Sequence, residues 1–296
     1  MNRPSQRTKN ALLIIDAQYD FCSPNGALPV LGADKDCQTL AQFIKNNAQE
    51  IDKIFFTLDS HHVNDISHPS FWMDKNGNPP PAHTPISYQD IEDGKWVPRP
   101  EFDGRRVREY VRQLESQGEF GHYIWPYHCL IGSKGAALDD TIMEALIYWT
   151  TQTGRFYTPH TKGTNPYSEH FGAFRAQIPI QGAEETQLDM SFIKLVESYD
   201  NVYFAGQARS HCVATTLKQA MNEATSLAKK FVIMEDCMSN VVVPGGPDFA
   251  AMCQPIYDQA KQMGIRSEKS TNIILSAAHH PAMVLFSNGI TPPTLD

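Results

Sequence analysis

The chain has 296 residues, 41% hydrophobic, 10% aromatic and 20% charged, which is enough apolar material for a sizeable core and too much for a disordered chain. Its formal net charge of -8 argues against a polyanion-binding surface, so nucleic acid is not an expected partner. The stretch from Met1 to Asn10 lacks the apolar core of a signal peptide and no apolar run reaches membrane-spanning length, which makes a cytoplasmic location and no membrane partner the default expectation.

In chain order, the apolar run from Ala11 to Ile15 predicts a buried strand. Leu40, Phe43, Ile44 and Ile51 recur at helical spacing and predict a helix from Asp36 to Gln49. A second strand from Ile54 to Leu58 completes a βαβ unit. From Pro69 to Gly121 the rhythm breaks: Pro79, Pro80, Pro81, Pro85, Pro98 and Pro100 accompany one short helical pattern from Val107 to Leu114, as in an insertion. Beyond it come a helix from Ala136 to Trp149 and strands from Phe156 to Thr161 and from Val202 to Ala205. A helix from Cys212 to Lys229, a strand from Phe231 to Met234 and a helix from Asp248 to Met263, stopped by Gly264, follow. A last strand is expected near Ile273. This alternation predicts an α/β fold, an open, mostly parallel, doubly wound and Rossmann-like sheet with helices on both faces. The expectation is one domain over residues 1–296 with a Pro-rich insertion at about 69–121.

Asp16, Asp59, Lys162 and the segment from Gly206 to Cys212 each follow a predicted strand. In a parallel sheet these positions share the carboxyl edge, where open α/β sheets place ligands. Any one of these charges could simply end a strand at the surface; four together point to a site. Cys212 opens a helical pattern, and the unpaired amides at a helix start favour a thiolate there. The six cysteines (Cys22, Cys37, Cys129, Cys212, Cys237, Cys253) lack disulfide framework spacing, and Cys37, Cys237 and Cys253 read as small buried hydrophobes, with packing also favoured for Cys22 and Cys129. His211, next to Cys212 in sequence, projects in another direction and reads as a supporting residue. Asp59 and His61 alternate at a strand end and can face one ion, with His128 as a further ligand and His62 and His68 as nearby candidates. A carboxylate with two imidazoles suits zinc first, with iron or manganese also compatible.

These residues resemble those of the isochorismatase-like cysteine hydrolases, in particular their nicotinamidase branch. The segments that carry the resemblance are Ala11 to Cys22, Asp59-Ser-His61, Trp125-Pro-Tyr-His-Cys129 with Gly132, Lys162-Gly163 followed by Tyr167, Ser168 and Phe174, and Gly206 to Val213. They span nearly the whole chain in the family's order. The resemblance implies Cys212 as nucleophile, Asp16 as general base and acid, and Lys162 as the cation of the site. It further implies a cis peptide between Gln207 and Ala208, an oxyanion hole from the amides of Ala208 and Cys212, and Phe21 and Trp125 as walls around a flat ring. A divalent metal would hold the substrate's ring nitrogen. The activity implied is hydrolysis of nicotinamide to nicotinate and ammonia; another small amide of carbamoyl or maleamate type and a catalytically silent metabolite-binding module are the alternatives. The expected partner is a small amide, and homo-oligomerisation is open. Two departures stand out: His68 lies farther from His61 than the family's additional histidine, and Arg209-Ser210-His211 replaces the commoner Thr-Asp pattern.

Overall fold

The computed structural model describes residues 7–118 and 120–275; His279 and His280, which carry no sequence-based role, lie outside them. In chain order the elements are β1 (Asn10–Ile15), α1 (Tyr19–Cys22), α2 (Ala33–Asn46), β2 (Lys53–Asp59), β3 (Trp72–Met73), α3 (Tyr88–Glu92), β4 (Val97–Pro98) and α4 (Gly104–Ser116). There follow α5 (Asp140–Thr153), β5 (Thr158–Lys162), α6 (Met190–Glu197), β6 (Asn201–Gly206), α7 (Ala214–Glu223), α8 (Thr225–Ala228), β7 (Phe231–Met234), α9 (Phe249–Gln262) and β8 (Arg266–Glu268).

Six strands form one parallel sheet in the order β5-β2-β1-β6-β7-β8. From β1 the chain winds outward through β2 and β5, then returns to β6 on the other side of β1 and winds the opposite way. The strand order therefore reverses between β1 and β6, which opens a crevice at their carboxyl ends. β1 is buried along its whole length because both sheet faces are covered, which is why it reads as an unbroken apolar run. Leu12 and Ile14 pack with α2 and α5 on one face, while Ala11, Leu13 and Ile15 pack with α6, α7 and α9 on the other.

The segment between β2 and α5 carries a separate apolar cluster. Val107, Tyr110, Val111 and Leu114 line one face of α4 at helical spacing and meet Ile66, Phe71 and Trp72. The Trp72 indole is tied to the Ile66 carbonyl at 2.7 Å.

Several expected boundaries move. The strand leading to Lys162 is Thr158–Lys162, not a buried run from Phe156, and Phe156 is 79% exposed. As the sheet's edge it pairs on one side only, which also makes room for Pro159. The last strand is the wholly exposed Arg266–Glu268, whereas Ile273 follows a 3-10 turn; apolarity pointed to the wrong segment because an exposed edge strand needs none. α5 starts at Asp140, capped by Asp139, and ends at Gly154 with φ 68°. The helix expected from Cys212 begins as a π-turn, Arg209–Val213, and breaks after Glu223. α6, absent from the expectations, is capped by Asp189 and buries Phe192, Ile193 and Val196. All six cysteines are free and buried. Among the described residues no helix is long and apolar enough to cross a membrane.

Candidate active site

Four neighbouring strands deliver the polar residues. Asp16 leaves β1 at φ 42°, a left-handed conformation that aspartate tolerates better than most residues. Thr57 on β2 locks it there: the Thr57 hydroxyl donates to Asp16 Oδ1 at 2.5 Å and accepts from the Asp16 amide at 2.9 Å. Asp59 and Lys162 are register partners across β2 and β5. Lys162 Nζ consequently lies 3.1 Å from Asp59 Oδ1 and 2.8 Å from Asp16 Oδ2, and it donates to the His170 carbonyl at 2.7 Å. The contact with Asp16 Oδ2 is a charge contact without directed hydrogen-bond geometry. Gln18 clamps Asp59 through both backbone groups, accepting from its amide and donating to its carbonyl at 2.8 Å each.

Cys212 comes from the turn after β6. Gly206 begins that turn at φ 127°, where an added Cβ would stand 2.0 Å from the Ile15 carbonyl oxygen, so only glycine fits beside β1. The Gln207–Ala208 peptide is cis. Cys212 Sγ then sits 4.0 Å from Lys162 Nζ. Asp16, Lys162 and Cys212 are thus brought together, each buried.

Burial dominates the electrostatics. It pushes the Cys212 thiol well above its ordinary range, against the pull of Lys162, with Asp16 and Asp59 adding to the rise. The sulfur lies in a π-turn inside the protein beside two carboxylates, surroundings that oppose the helix-start effect expected from the sequence. Burial also raises the Asp16 carboxyl, with Lys162 opposing. For Lys162, burial works against the charge, but the Asp16 and Asp59 carboxylates outweigh it and hold the ammonium above the usual lysine range. A neutral thiol beside a raised carboxylate and a fixed ammonium is suited to proton transfer.

Asp59, His61 and His128 place one ligand atom each within 4.8 Å of one another, all buried. His61 Nε2 lies 2.9 Å from Asp59 Oδ2, and its Nδ1 lies 3.1 Å from Asp65 Oδ2. His128 donates from Nδ1 to the Pro126 carbonyl at 2.8 Å, which leaves Nε2 facing Asp59 Oδ2 at 3.9 Å. Burial holds the His128 imidazole down at about 3, so it is a neutral donor. One carboxylate and two imidazole Nε2 atoms fit a divalent ion with positions to spare. His68 stands behind His128, with Nε2 3.3 Å from His128 Nδ1 and Nδ1 bound to the His62 carbonyl at 3.0 Å, and is not part of this cluster. His62 itself is exposed.

Beside both groups lies a cleft lined by Phe21, Trp125, Phe171 and Val241 together with Asp59, His128, Ala208 and Cys212. Phe21 and Trp125 are among its walls, and Phe21 leans on the His128 ring at 5.4 Å between centroids. His211 also lines it; its Nδ1 pairs with Ser210 Oγ at 2.9 Å, and Trp125 and Phe249 enclose its ring. Thr57, Gln18, Phe171 and Val241 were not anticipated. Thr57 stands two residues before Asp59 on one strand face, a spacing that could have marked it.

No protein-family model matches the chain. The nicotinamidase of Saccharomyces cerevisiae is 25% identical over 211 residues, covering 69% of this chain and 78% of that protein. A nicotinamidase/pyrazinamidase structure from Acinetobacter baumanii superposes with a TM-score of 0.57 at 19% identity, covering 91% of this chain and all of the other. The chain has the isochorismatase-like fold of the nicotinamidases. A zinc complex of the Pyrococcus horikoshii pyrazinamidase shares that fold with a TM-score of 0.51 at 19% identity, covering 88% of this chain and 99% of the other. Within this nicotinamidase fold, the carboxyl ends of β1, β2, β5 and β6 carry Asp16, Asp59, Lys162 and the Cys212 turn.

Proposed function

We propose that the chain is an amidohydrolase that converts nicotinamide to nicotinate and ammonia through a Cys212 thioester. The observation that supports this most directly is the meeting of Cys212, Lys162 and Asp16 beside the Asp59, His61 and His128 donors, with Cys212, Asp59 and His128 lining one cleft. Asp16 takes the thiol proton, and the Cys212 sulfur attacks the carboxamide carbon. The amides of Ala208 and Cys212, both lining the cleft, receive the developing oxyanion. Asp16 returns the proton to the departing nitrogen, which leaves as ammonia. It then accepts a proton from water as the water attacks the thioester, and the acid departs with the thiol restored. Lys162 keeps Asp16 in place and offsets the charge of the two carboxylates throughout. Asp59, His61 and His128 would hold a divalent ion, zinc being the first choice, which when bound supplies a Lewis-acid contact for a ring nitrogen. Phe21 and Trp125 flank the ring. The test is ammonia release by metal-replete protein from nicotinamide, benzamide and maleamate. Preference for nicotinamide supports the reading, and preference for maleamate assigns the same machinery to another amide.

A further inference from the structure

We infer that Asp65 is a positioning residue for the metal centre: it fixes the tautomer of His61 and supplies the charge that makes the site suited to a divalent ion. This rests on the reading of Asp59, His61 and His128 as metal donors, and it concerns a residue that takes no part in the acyl chemistry.

The geometry carries it. Asp65 is 1% exposed, yet it is not a member of the donor cluster. Its Oδ2 faces His61 Nδ1 at 3.1 Å. Both ring nitrogens face a carboxylate, Nε2 that of Asp59 at 2.9 Å and Nδ1 that of Asp65 at 3.1 Å, so when an ion takes the Nε2 lone pair the remaining proton is on Nδ1, where the Asp65 carboxylate accepts it. The carboxylate is itself immobilised, because Oδ1 accepts from the Ser67 amide at 3.1 Å and the Ser67 hydroxyl at 2.9 Å. A freely rotating side chain could not orient a histidine; this one is held from both ends.

Charge gives a second reason. Asp16 and Asp59 meet the buried ammonium of Lys162, and Asp59 and Asp65 flank the His61 ring, so carboxylates outnumber the fixed ammonium at this centre. Burying unpaired charge is costly, and a divalent ion at the donor cluster offsets that excess. Without Asp65 the same ion would find one negative charge less and an imidazole free to turn its proton inward.

The test is zinc affinity, measured by chelator competition on full-length protein, for wild type, Asp65→Ala and Asp65→Asn. Loss of such an outer partner weakens metal affinity by about 10- to 100-fold. Asp65→Ala is expected to fall in that range and Asp65→Asn, which keeps an acceptor but not the charge, between it and wild type. Nitrogen NMR of the imidazoles should show loss of the fixed Nδ1–H tautomer of His61 in Asp65→Ala, a change that a merely structural role does not produce. If wild type binds zinc and both folded variants bind it within about threefold, the role of Asp65 is refuted while the donor cluster stands. If Asp65→Ala fails to fold, Asp65→Asn decides by the same criterion. If wild type binds no zinc, the metal reading and this inference fall together, and amide hydrolysis can still be assayed separately.

Discussion

Replacing Lys162 by methionine tests the electrostatic centre most directly, since methionine keeps the length of the stem and removes only the charge. Lys162 and Asp16 are both 0% exposed at their side chains and Asp59 is 4% exposed, so solvent cannot screen what is left behind. Two carboxylates lose contacts of 2.8 and 3.1 Å with a single ammonium. Breaking a buried pair of this kind costs about 3–5 kcal/mol, equivalent to a fall in Tm of roughly 10 °C in a domain of this size. The loss depends on pH. Burial already raises the Asp16 carboxyl and Lys162 is the main influence opposing it, so the folded-state value climbs further in the variant. A carboxyl raised above its unfolded value contributes stability that is present below the unfolded value and lost as pH rises through the folded one. The deficit is therefore largest near neutrality and shrinks toward pH 4. Thermal and urea denaturation of both proteins near pH 7.5 and pH 5, with zinc content and ammonia release measured in parallel, provide the assay. Turnover should fall by about 100-fold or more while zinc is retained, because Nζ is not a ligand. A Tm within 2 °C of wild type at pH 7.5, or an equal deficit at both pH values, refutes the reasoning.

Cys212→Ala should abolish ammonia release and keep the Tm within a few degrees, since alanine suits the π-turn that leads into α7; more than a trace of turnover removes Cys212 from the nucleophile role. His128→Ala should lower zinc content and nicotinamide turnover together, as chelation should in wild type, and undiminished hydrolysis by chelated protein would separate the ion from the reaction. Gly206→Ala should cost at least about 2 kcal/mol in urea unfolding, from the φ of 127° and the contact with the Ile15 carbonyl, and a neutral result means the turn can shift. Thr57→Val removes a hydrogen bond that lowers the Asp16 carboxyl, so the acid limb of kcat/KM should move upward; a fall in rate without that movement would make Thr57 a packing residue only.

Residues whose placement depends on one strand were legible in the sequence, and those placed by several were not. Asp16, Asp59 and Cys212 follow apolar strands that bury both faces, and burial writes a continuous apolar run that marks where the strand ends. Lys162 was found although its strand was misplaced at the start, because the edge position of β5 blurred the apolar signal at Phe156 without moving the end. β8 left no such trace, being exposed at all three residues. Thr57, Gln18 and Asp65 act through hydrogen bonds to residues on other segments, and a polar residue in a sequence does not announce which partner it meets. The protonation state of Cys212 was also hidden. A helix start lowers a thiol and burial raises it, and only the packing around the sulfur shows how deeply it is buried.

The two halves of the site are secured by different means, and this bears on how each can fail. Asp16, Asp59 and Lys162 hang from neighbouring parallel strands whose ladders fix their separation, and the Cys212 turn is pressed against β1 by Gly206. His128 comes from outside the sheet. It reaches the cluster through an isolated bridge between His61 and Leu130 and through the hold of Asp20 Oδ2 on the Cys129 amide at 2.7 Å. Cys129 takes φ 47°, a conformation costly for a residue other than glycine, so these contacts must hold it. Isolated hydrogen bonds secure the His128 segment, whereas full strand ladders secure the triad. The ligand arrangement is thus the part most exposed to local loosening, and the triad the part most tied to global stability. Loss of zinc with an intact fold, and loss of global stability on removal of Lys162, are two consequences of this single arrangement.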